Sequence, residues 1–258
     1  MDICSVTQSF AQNANDLYKK NGLKGHNAID SSCGYGSNIT SKVSGKVVGL
    51  WTPQNPAPSD GYTAIYILCT TKLETFEWCT GHPSEILIDK GARVEKGQLI
   101  GKEGNKGSVY YGGIKITLKM QKAGDRRGSH RHDQKRPVRL VAKRRNGFKY
   151  LQYGDGYLRS PSGMYYEYAI DNDFAGCVDW TKPLWNRDIH VGITGYDVEL
   201  LQRALGLPPE YQTGYFGLKT QDAVAKFQKE VGLSPTAGYV GPKTRGVLNL
   251  QYGQLDTI

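Results

Sequence analysis

Four of the five histidines lie in three short segments: His26-Asn-Ala-Ile-Asp30, Gly81-His82-Pro83 and Ser129-His130-Arg131-His132. Zinc accepts imidazole nitrogen and carboxylate oxygen in a tetrahedral site, and a catalytic zinc keeps three protein ligands with a fourth position open. Two histidines and one aspartate therefore suffice for a mononuclear zinc site. Two further histidines would then remain beside it for proton transfer.

The spacing of these residues constrains the elements that carry them. His130 and His132 are two apart, and residues i and i+2 of a strand point to the same face, so one strand can direct both imidazoles into one site. His26 and Asp30 are four apart and could share a helix face, but the Ser-Ser-Cys-Gly-Tyr-Gly that follows favours a strand or turn. His82 precedes a proline in a predicted loop. Each motif alone arises often by chance, and their combination and order carry the prediction.

Most of the chain has the pattern of β-structure. Short segments rich in Val, Ile, Tyr and Thr are bounded by glycines, of which there are 32, and this pattern is typical of strands and turns. The predicted strand segments are residues 39–51 as one or two strands around Gly45, 62–70 paired in a hairpin with 76–79, 114–118 and 137–141. One or two helical turns are predicted between Phe10 and Tyr18.

The pattern becomes helical beyond residue 187. Apolar residues at helical spacing predict helices at 197–205, 220–231 and 243–250, with Asp197 as an N-cap and Gly232 as a C-cap. Their predicted core includes Val198, Leu201, Val224 and Phe227. The fold class expected is therefore a mostly β domain of antiparallel sheets at residues 1–186, followed by a small three-helix, all-α domain at 187–258.

Charge narrows the choice of partner. The 258-residue chain has a formal net charge of +9, which suits nucleic acid, a membrane surface or an acidic cell-wall polymer. Residues 122–149 are markedly basic and form either a solvated hairpin and loop or a face that attracts an anionic polymer. Helix-turn-helix, zinc-finger and RNP-like patterns are missing from the sequence, which argues against nucleic acid. Apolar runs of membrane-spanning length are also missing, so we expect no membrane insertion.

The five cysteines form no CxxC pair and are interpreted mainly as small buried residues, although disulfides stay open, with Cys69 and Cys79 as a pair across a hairpin. The first residues do not have the pattern of a signal peptide. We therefore expect synthesis in the cytoplasm without a leader, or else a mature form from which a leader was removed.

Four motifs in order resemble the lysostaphin-type zinc endopeptidases of peptidoglycan: Gly25-His-Asn-Ala-Ile-Asp30, Gly81-His-Pro83, the Gly-rich segment 91–107 and Gly128-Ser-His-Arg-His132. The resemblance covers roughly residues 7–185. It implies that His26, Asp30 and His132 bind zinc, and that His82 and His130 flank the attacking water and the reacting carbonyl. The chain departs from the family pattern at Pro83, Arg131 and Asp133. None of these departures removes a ligand, and they bear more on substrate preference than on zinc binding.

Residues 190–250 resemble a small three-helix peptidoglycan-binding module. The segments that carry the resemblance are Leu200-Leu-Gln-Arg-Ala-Leu205, Gly214-Tyr-Phe-Gly-Leu-Lys-Thr220, Ala223-Val-Ala-Lys-Phe-Gln228 and Gly238-Tyr-Val-Gly-Pro-Lys-Thr244. Most of these residues are expected to build the bundle. Tyr215, Tyr239 and Gln212 are the substrate-binding candidates.

Together these features predict a monomeric zinc metalloendopeptidase that hydrolyses amide bonds in the peptide part of peptidoglycan, as an endolysin-like, antimicrobial enzyme acting at the bacterial wall. Peptidoglycan, and with it anionic wall polymers, are the expected partners. Two alternatives stay open: a catalytically inactive protein that binds peptidoglycan or activates another hydrolase, and a nucleic-acid-binding protein that uses the basic segment. Which bond is cut, and whether the source is a phage or a bacterium, do not follow from the sequence.

Overall fold

A computed structural model describes residues 4–12, 18–19, 23–57, 60–140, 166–168 and 176–252. The chain divides into two compact units, the first comprising residues 1–70 and 75–179 and the second 71–74 and 180–258. The predicted boundary between residues 186 and 187 stays a prediction. Most of the predicted helical turns at 10–18, and residues 141–149 of the basic segment, lie outside the described residues.

Where its residues are described, the first unit consists mainly of strands. They are β1 (Ser5–Gln8), β2 (Ile29–Ser32), β3 (Asn38–Thr40), β4 (Gly45–Trp51), β5 (Ala64–Thr70), β6 (Thr75–Gly81), β7 (Glu85–Ile86), β8 (Arg93–Val94), β9 (Leu99–Lys102), β10 (Val109–Tyr111), β11 (Ile114–Ile116), β12 (Arg131–Leu140) and β13 (Tyr166–Tyr168). One short helix, α1 (Leu118–Lys122), is capped by Thr117, whose side chain accepts a hydrogen bond from the Met120 amide. This content confirms the predicted fold class for the unit.

Eight strands form one antiparallel sheet in the order β1-β2-β12-β6-β5-β4-β8, with β13 also paired to β12. Smaller sheets contain β3-β9-β7 and β10-β11. The central strands β5 and β6 bury Ile65, Ile67, Phe76 and Trp78. Because β12 lies between β2 and β6, its first residues are held on both sides, which makes it a rigid carrier for the His-rich segment.

The predicted strands agree with most of the observed ones. The segment around Gly45 forms the two strands β3 and β4, and the hairpin of β5 and β6 lies where it was predicted. The prediction for 114–118 was wrong at its end, because Leu118 begins α1 after the Thr117 cap.

The buried basic side chains of β12 fit neither prediction for segment 122–149, whereas Lys122, Arg126 and Arg127 before β12 are exposed, as the solvated alternative predicted. Arg131, Lys135 and Arg136 are buried and therefore form neither a solvated loop nor an anion-attracting face. Arg136 lies 2.8 Å from Glu77, and the Lys135 ammonium lies 4.6 Å from the centre of the Phe76 ring. Arg136 and Lys135 thus have partners inside the unit, and Arg131 Nε lies 3.8 Å from Glu103 Oε2.

Two cysteines form a disulfide that the sequence did not identify, Cys4–Cys33, while Cys69, Cys79 and Cys177 are buried thiols. The suggested pair of Cys69 and Cys79 is wrong because Cys69 lies opposite Phe76, and Cys79 lies opposite Tyr66 in the same hairpin.

The second unit contains α2 (Tyr196–Ala204), a 3-10 helix (Pro209–Tyr211), α3 (Leu218–Glu230) and α4 (Pro242–Tyr252). Its core contains the predicted residues Val198, Leu201, Val224 and Phe227, together with Phe216, Val240 and Leu248. Gly232 follows α3 with a φ of +72°, the left-handed conformation that favours glycine after a helix. Asp197 lies within α2 rather than at its N-cap, which is Gly195.

Among the described residues, no helix combines the length and the apolar composition that crossing a bilayer requires.

Candidate metal centre

Strand register brings the predicted site residues together. In the antiparallel ladders, His132 of β12 lies opposite Asp30 of β2 on one side and opposite Gly81 of β6 on the other. His82 follows β6 directly, and His130 precedes β12, where it forms an isolated bridge with Gly104. Four of the candidate site residues thus lie at one end of the three central strands.

His26 reaches the same place from the loop before β2. Its backbone is fixed by two hydrogen bonds: the Ala11 amide donates to the His26 carbonyl at 2.7 Å, and the His26 amide donates to the Gln12 carbonyl at 3.0 Å. The loop and strand arrangement excludes the alternative in which His26 and Asp30 share a helix face.

The three predicted ligands converge through one atom each. Asp30 Oδ1 lies 2.8 Å from His132 Nδ1 and 3.2 Å from His26 Nε2, and the two imidazole nitrogens are 3.2 Å apart. Ligand atoms bound tetrahedrally to zinc at about 2.0–2.1 Å are separated by roughly 3.3 Å. The donor types and their spacing therefore fit a zinc ion.

A second group of histidines shares His132. Ligand atoms of His82, His130 and His132 lie within 4.8 Å of one another, the same limit that the group of His26, Asp30 and His132 satisfies. We favour the group that contains Asp30, because its atoms approach within 3.2 Å and its carboxylate offsets the charge of a divalent cation.

Backbone carbonyls set the orientation of three imidazoles. His26 Nδ1 lies 3.2 Å from the Ser9 carbonyl, His82 Nδ1 2.5 Å from the Lys106 carbonyl and His130 Nδ1 2.8 Å from the Gly128 carbonyl. A carbonyl only accepts, so each Nδ1 carries the proton and each Nε2 keeps its lone pair. His26 thereby offers Nε2 to the metal, and His130 Nε2 lies 3.6 Å from Asp30 Oδ2.

His132 is turned the other way. Its Nδ1 faces Asp30, and its Nε2 lies 3.0 Å from the side-chain amide of Gln134. Arg136 donates to Gln134 Oε1 and to Glu77 Oε1. Because His132, Gln134 and Arg136 alternate along one face of β12, a buried polar chain runs from the ligand to a buried ion pair. The Gln134 amide nitrogen can only donate, so it fixes the His132 ring with Nε2 as acceptor and the proton on Nδ1 beside Asp30. Zinc at Nδ1 would require the proton on Nε2 and the Gln134 amide oxygen turned towards it.

The electrostatics of the site favour an ionised carboxylate. Burial by itself raises the pKa of Asp30, but the charge and hydrogen bond of His132 and the hydrogen bond of His26 outweigh it and hold this pKa well below its usual range. Burial, followed by repulsion from His130 and His132, lowers the pKa of His82 well below the ordinary value of 6.5. His82 is therefore a neutral imidazole at neutral pH.

His82 has an uncommon backbone conformation, with a φ of +66°. Such angles are costly for a residue with a side chain and persist where surrounding contacts hold them. Here the His82 amide donates to the Thr63 carbonyl at 2.9 Å, while Nδ1 is held at Lys106. The ring also meets Tyr62, with centroids 4.9 Å apart.

The Glu103 side chain connects the residues that follow Asp30, Ser32 and Cys33, to Ser129, the residue before His130. This fully buried carboxylate accepts hydrogen bonds from Ser32 Oγ at 2.7 Å, from the Cys33 amide at 2.9 Å and from Ser129 Oγ at 3.0 Å. It therefore joins β2 to the start of β12 from behind the site.

Sequence reasoning did not find Tyr62, Glu103 or Gln134. Gln134 had a usable signal, since it lies two residues after His132 and a strand places it on the same face. Glu103 follows β9 and Tyr62 precedes β5, and the sequence contains no local signal for either.

The three candidate binding residues of the second unit are placed differently from one another. The side chains of Tyr215 and Tyr239 are 51% and 43% exposed. Gln212 donates its amide to the Leu207 carbonyl at 2.7 Å and so stabilises its own loop. Their roles in binding stay predictions.

Comparison with known proteins finds a family for the second unit. Residues 194–248 match the family model described as "Putative peptidoglycan binding domain". This match confirms the predicted helical peptidoglycan-binding module. No curated protein sequence matches the chain.

Solved structures similar to this chain include three that cover mainly its first part. LytU is 21% identical with a TM-score of 0.32, and the match covers 44% of this chain and 62% of that one. The catalytic domain of the prophage-encoded M23 protein EnpA from Enterococcus faecalis is 17% identical with a TM-score of 0.37, covering 53% and 83%. Lysostaphin from Staphylococcus simulans is 20% identical with a TM-score of 0.30, covering 43% and 37%.

The predicted resemblance to lysostaphin-type peptidases thus recurs among these structures. The chain spans 62% of LytU and 37% of lysostaphin. At such identities and TM-scores, activity is not transferred to this chain and depends on its own residues.

Proposed function

We propose that the chain is a zinc-dependent endopeptidase that hydrolyses amide bonds in the peptide part of bacterial peptidoglycan, directed to the wall by its helical unit. The observation that supports it most is the convergence of His26 Nε2, Asp30 Oδ1 and His132 Nδ1 within 3.2 Å of one another, with His82 and His130 beside them. Three ligands of these types leave a fourth position for water or substrate.

Zinc at this position supplies a Lewis acid that polarises a carbonyl oxygen and makes water acidic near neutral pH. His26 and His132 bind as neutral imidazoles, and Asp30 binds as the anion that its surroundings favour. The buried chain through Gln134 and Arg136 holds the His132 ring in place, and the Ser9 carbonyl does the same for His26.

His82 and His130 provide the proton chemistry. Both direct Nε2 towards the site, because each Nδ1 is held by a carbonyl. Each ring can accept a proton from the attacking water and return it to the leaving amine, or, once protonated, donate a hydrogen bond to the carbonyl oxygen as negative charge develops there. Their ring centroids are 4.5 Å apart, so the two can act on one substrate group.

The substrate follows from the second unit. A peptidoglycan-binding domain in the same chain keeps the active site near cross-linked wall peptides and so raises their effective concentration without changing the chemical step. We extend the proposal to lysis of the wall of an intact bacterium, as by an endolysin.

The test combines zinc analysis with clearing of purified cell walls. We expect about one zinc per chain and a fall in turbidity that a chelator abolishes and added zinc restores. Asp30→Ala should lose both metal and clearing. His130→Ala should keep the metal and lose clearing, since general acid–base groups contribute about 10²–10⁴-fold. Clearing at the parent rate by His130→Ala would refute the assigned chemistry.

The same measurements separate the inactive alternative. A chain that binds walls and zinc but releases no new amino groups from them would be a binding protein. Mass spectrometry of the released fragments then identifies the bond that is cut.

A further inference from the structure

The helical unit contains two structurally equivalent turns. In the first turn, Gln202 Nε2 donates to the Tyr215 carbonyl at 2.8 Å and to Thr220 Oγ1 at 2.9 Å, and its Oε1 accepts from the Gly214 amide at 3.0 Å.

In the second turn, Gln228 makes the same three hydrogen bonds, at 2.8, 2.9 and 3.0 Å, to the Tyr239 carbonyl, Thr244 Oγ1 and the Gly238 amide. Each turn holds one exposed tyrosine, so the repeat supplies an internal control for any role given to either ring.

The segments that precede the two tyrosines differ. In the first turn, six residues (208–213) separate Leu207 from Gly214. They include a 3-10 helix, Pro209–Tyr211, and Gln212, which donates a hydrogen bond to the Leu207 carbonyl. The second turn has only Ser234-Pro-Thr-Ala between Leu233 and Gly238. A cavity of about 330 Å³ adjoins this shorter segment.

The lining of this cavity combines an aromatic ring, hydroxyls and one cation. It includes Ser234, Pro235, Tyr239, Gly241, Lys243 and Thr244. The Tyr239 ring lies against Gly241, where an added Cβ would come within 2.6 Å of the ring, so glycine lets the ring lie close to the backbone. Small-ligand pockets have volumes of roughly 300–1,000 Å³, and this cavity lies at the lower end.

Charge distinguishes the two turns. Lys243 is the one charged residue in the segment 233–244, whereas the corresponding segment 207–220 contains both Glu210 and Lys219. A carboxylate is therefore attracted to the second turn and meets an acidic neighbour at the first.

We propose that the cavity beside Tyr239 is the ligand site of the helical unit and that it takes a short peptide with a free carboxylate, as in a peptidoglycan stem peptide. The carboxylate pairs with Lys243, and the peptide packs against the Tyr239 ring. This inference rests on the proposed wall binding of the unit and specifies which of its two turns binds.

The test uses the full chain in a His130→Ala background, so that walls are not digested and any binding by the first unit is common to all variants. Tyr239→Ala and Lys243→Ala are compared with the matched changes Tyr215→Ala and Lys219→Ala, after thermal unfolding has verified that all are folded. Co-sedimentation with purified walls should show at least about tenfold weaker binding for the second-turn variants, and less than twofold change for the first-turn variants.

The soluble probes are N-acetyl-Lys-D-Ala-D-Ala, its C-terminal amide and an N-acetylglucosamine tetrasaccharide, with chemical shifts followed by NMR. We expect the free acid to shift resonances of residues 233–244 and the amide to bind at least about tenfold more weakly. Equal losses for Tyr239→Ala and Tyr215→Ala, or binding of the tetrasaccharide in place of the peptide, would overturn the inference. Failure of the parent chain to bind walls at all would instead refute the proposed wall binding.

Discussion

His130, which precedes β12, and His132, which lies on it, present different ring nitrogens to the site. The Gly128 carbonyl holds His130 Nδ1, so its Nε2 points inward, while Gln134 lies beside His132 Nε2, so its Nδ1 points inward. In the proposed mechanism the His132 ring therefore serves as a ligand beside Asp30, and the His130 ring serves in proton transfer. The division of roles comes from neighbours that are neither ligands nor acids.

Gln134 should therefore influence metal affinity although it does not contact the metal. Gln134→Leu removes the polar partner of His132 Nε2 and leaves Arg136 without one of its acceptors. We expect zinc to bind about 10–100-fold more weakly, because leucine cannot supply the amide oxygen that would accept from His132 Nε2–H once zinc is at Nδ1. Competition with a chromophoric chelator measures this. The control is Gln98→Leu, at an exposed glutamine, and equal affinities in the two variants would contradict the role.

The pKa of His82 makes a prediction about stability without metal. Burial and the neighbouring histidines lower this pKa in the folded chain, whereas an unfolded histidine titrates near 6.5. As pH falls through 6.5 the unfolded state takes up the proton first, so the free energy of unfolding falls. Between pH 5 and 7, His82→Ala should therefore reduce the slope of the free energy of unfolding against pH by up to about 1.4 kcal/mol per pH unit.

Urea unfolding of the chelator-treated chain at several pH values checks this slope. Tyr62→Phe is the control, because it changes a neighbour of the His82 ring without removing an imidazole. A slope that is the same for the parent and His82→Ala would show that His82 does not carry the effect.

Residue types and the spacing of His130 and His132 indicated a metal site, the family resemblance implied the five candidate residues, and the structure places these five side chains close together. The orientation of each ring was not predictable. The orientation depends on the backbone carbonyls of Ser9, Gly128 and Lys106. Because every residue has a backbone carbonyl, the residue types do not indicate which carbonyls hold the rings.

At the scale of elements, the segment before β2 is held at two places. The Cys4–Cys33 disulfide joins the start of β1 to the residue after β2, and Ser9, Ala11 and Gln12 then bind the backbone and ring of His26. The disulfide therefore closes a loop that contains two of the three proposed metal ligands.

Reduction of this disulfide should destabilise the first unit. The cysteines are 29 residues apart, and closing a loop of that length restricts the unfolded chain by about 3–4 kcal/mol in the entropic model. Thermal unfolding with and without a phosphine reductant measures the change. The double variant Cys4→Ser, Cys33→Ser should unfold at the lower temperature in both conditions. If the reductant lowers the unfolding temperature of the double variant as much as that of the parent, the destabilisation does not come from reduction of this disulfide.

Element positions were predictable where a local pattern decides them. The hairpin of β5 and β6 has continuous apolar and β-branched runs, and α2 to α4 have apolar residues at helical spacing. The error at Leu118 arose because Thr117 caps a helix at the end of an apolar run. The polar side of β12 was not predictable either, because Arg131 and Arg136 are buried only through partners such as Glu103 and Glu77, which lie on other strands.

At the scale of the whole molecule, the chain combines a unit with a candidate catalytic site and a unit with a wall-binding fold. Tethering two functions changes the rate on a polymer that carries both ligands, but leaves the rate on a small soluble substrate unchanged. This difference separates a targeting role of the helical unit from a role in the chemistry.

The variant Val224→Asp tests whether the helical unit acts in targeting or in the chemistry. Val224 is fully buried in the helical core, and an unpaired charge there costs more than a unit of this size can tolerate, so the second unit unfolds. We expect clearing of intact walls to fall by about 10²-fold or more, as the loss of a tether does, with unchanged zinc content and unchanged hydrolysis of a soluble cross-linked wall peptide. Leu218→Asp makes the same chemical change at a side chain that is 69% exposed and should clear walls like the parent. Parallel losses on walls and on the soluble peptide would show that the helical unit supports the catalytic site itself.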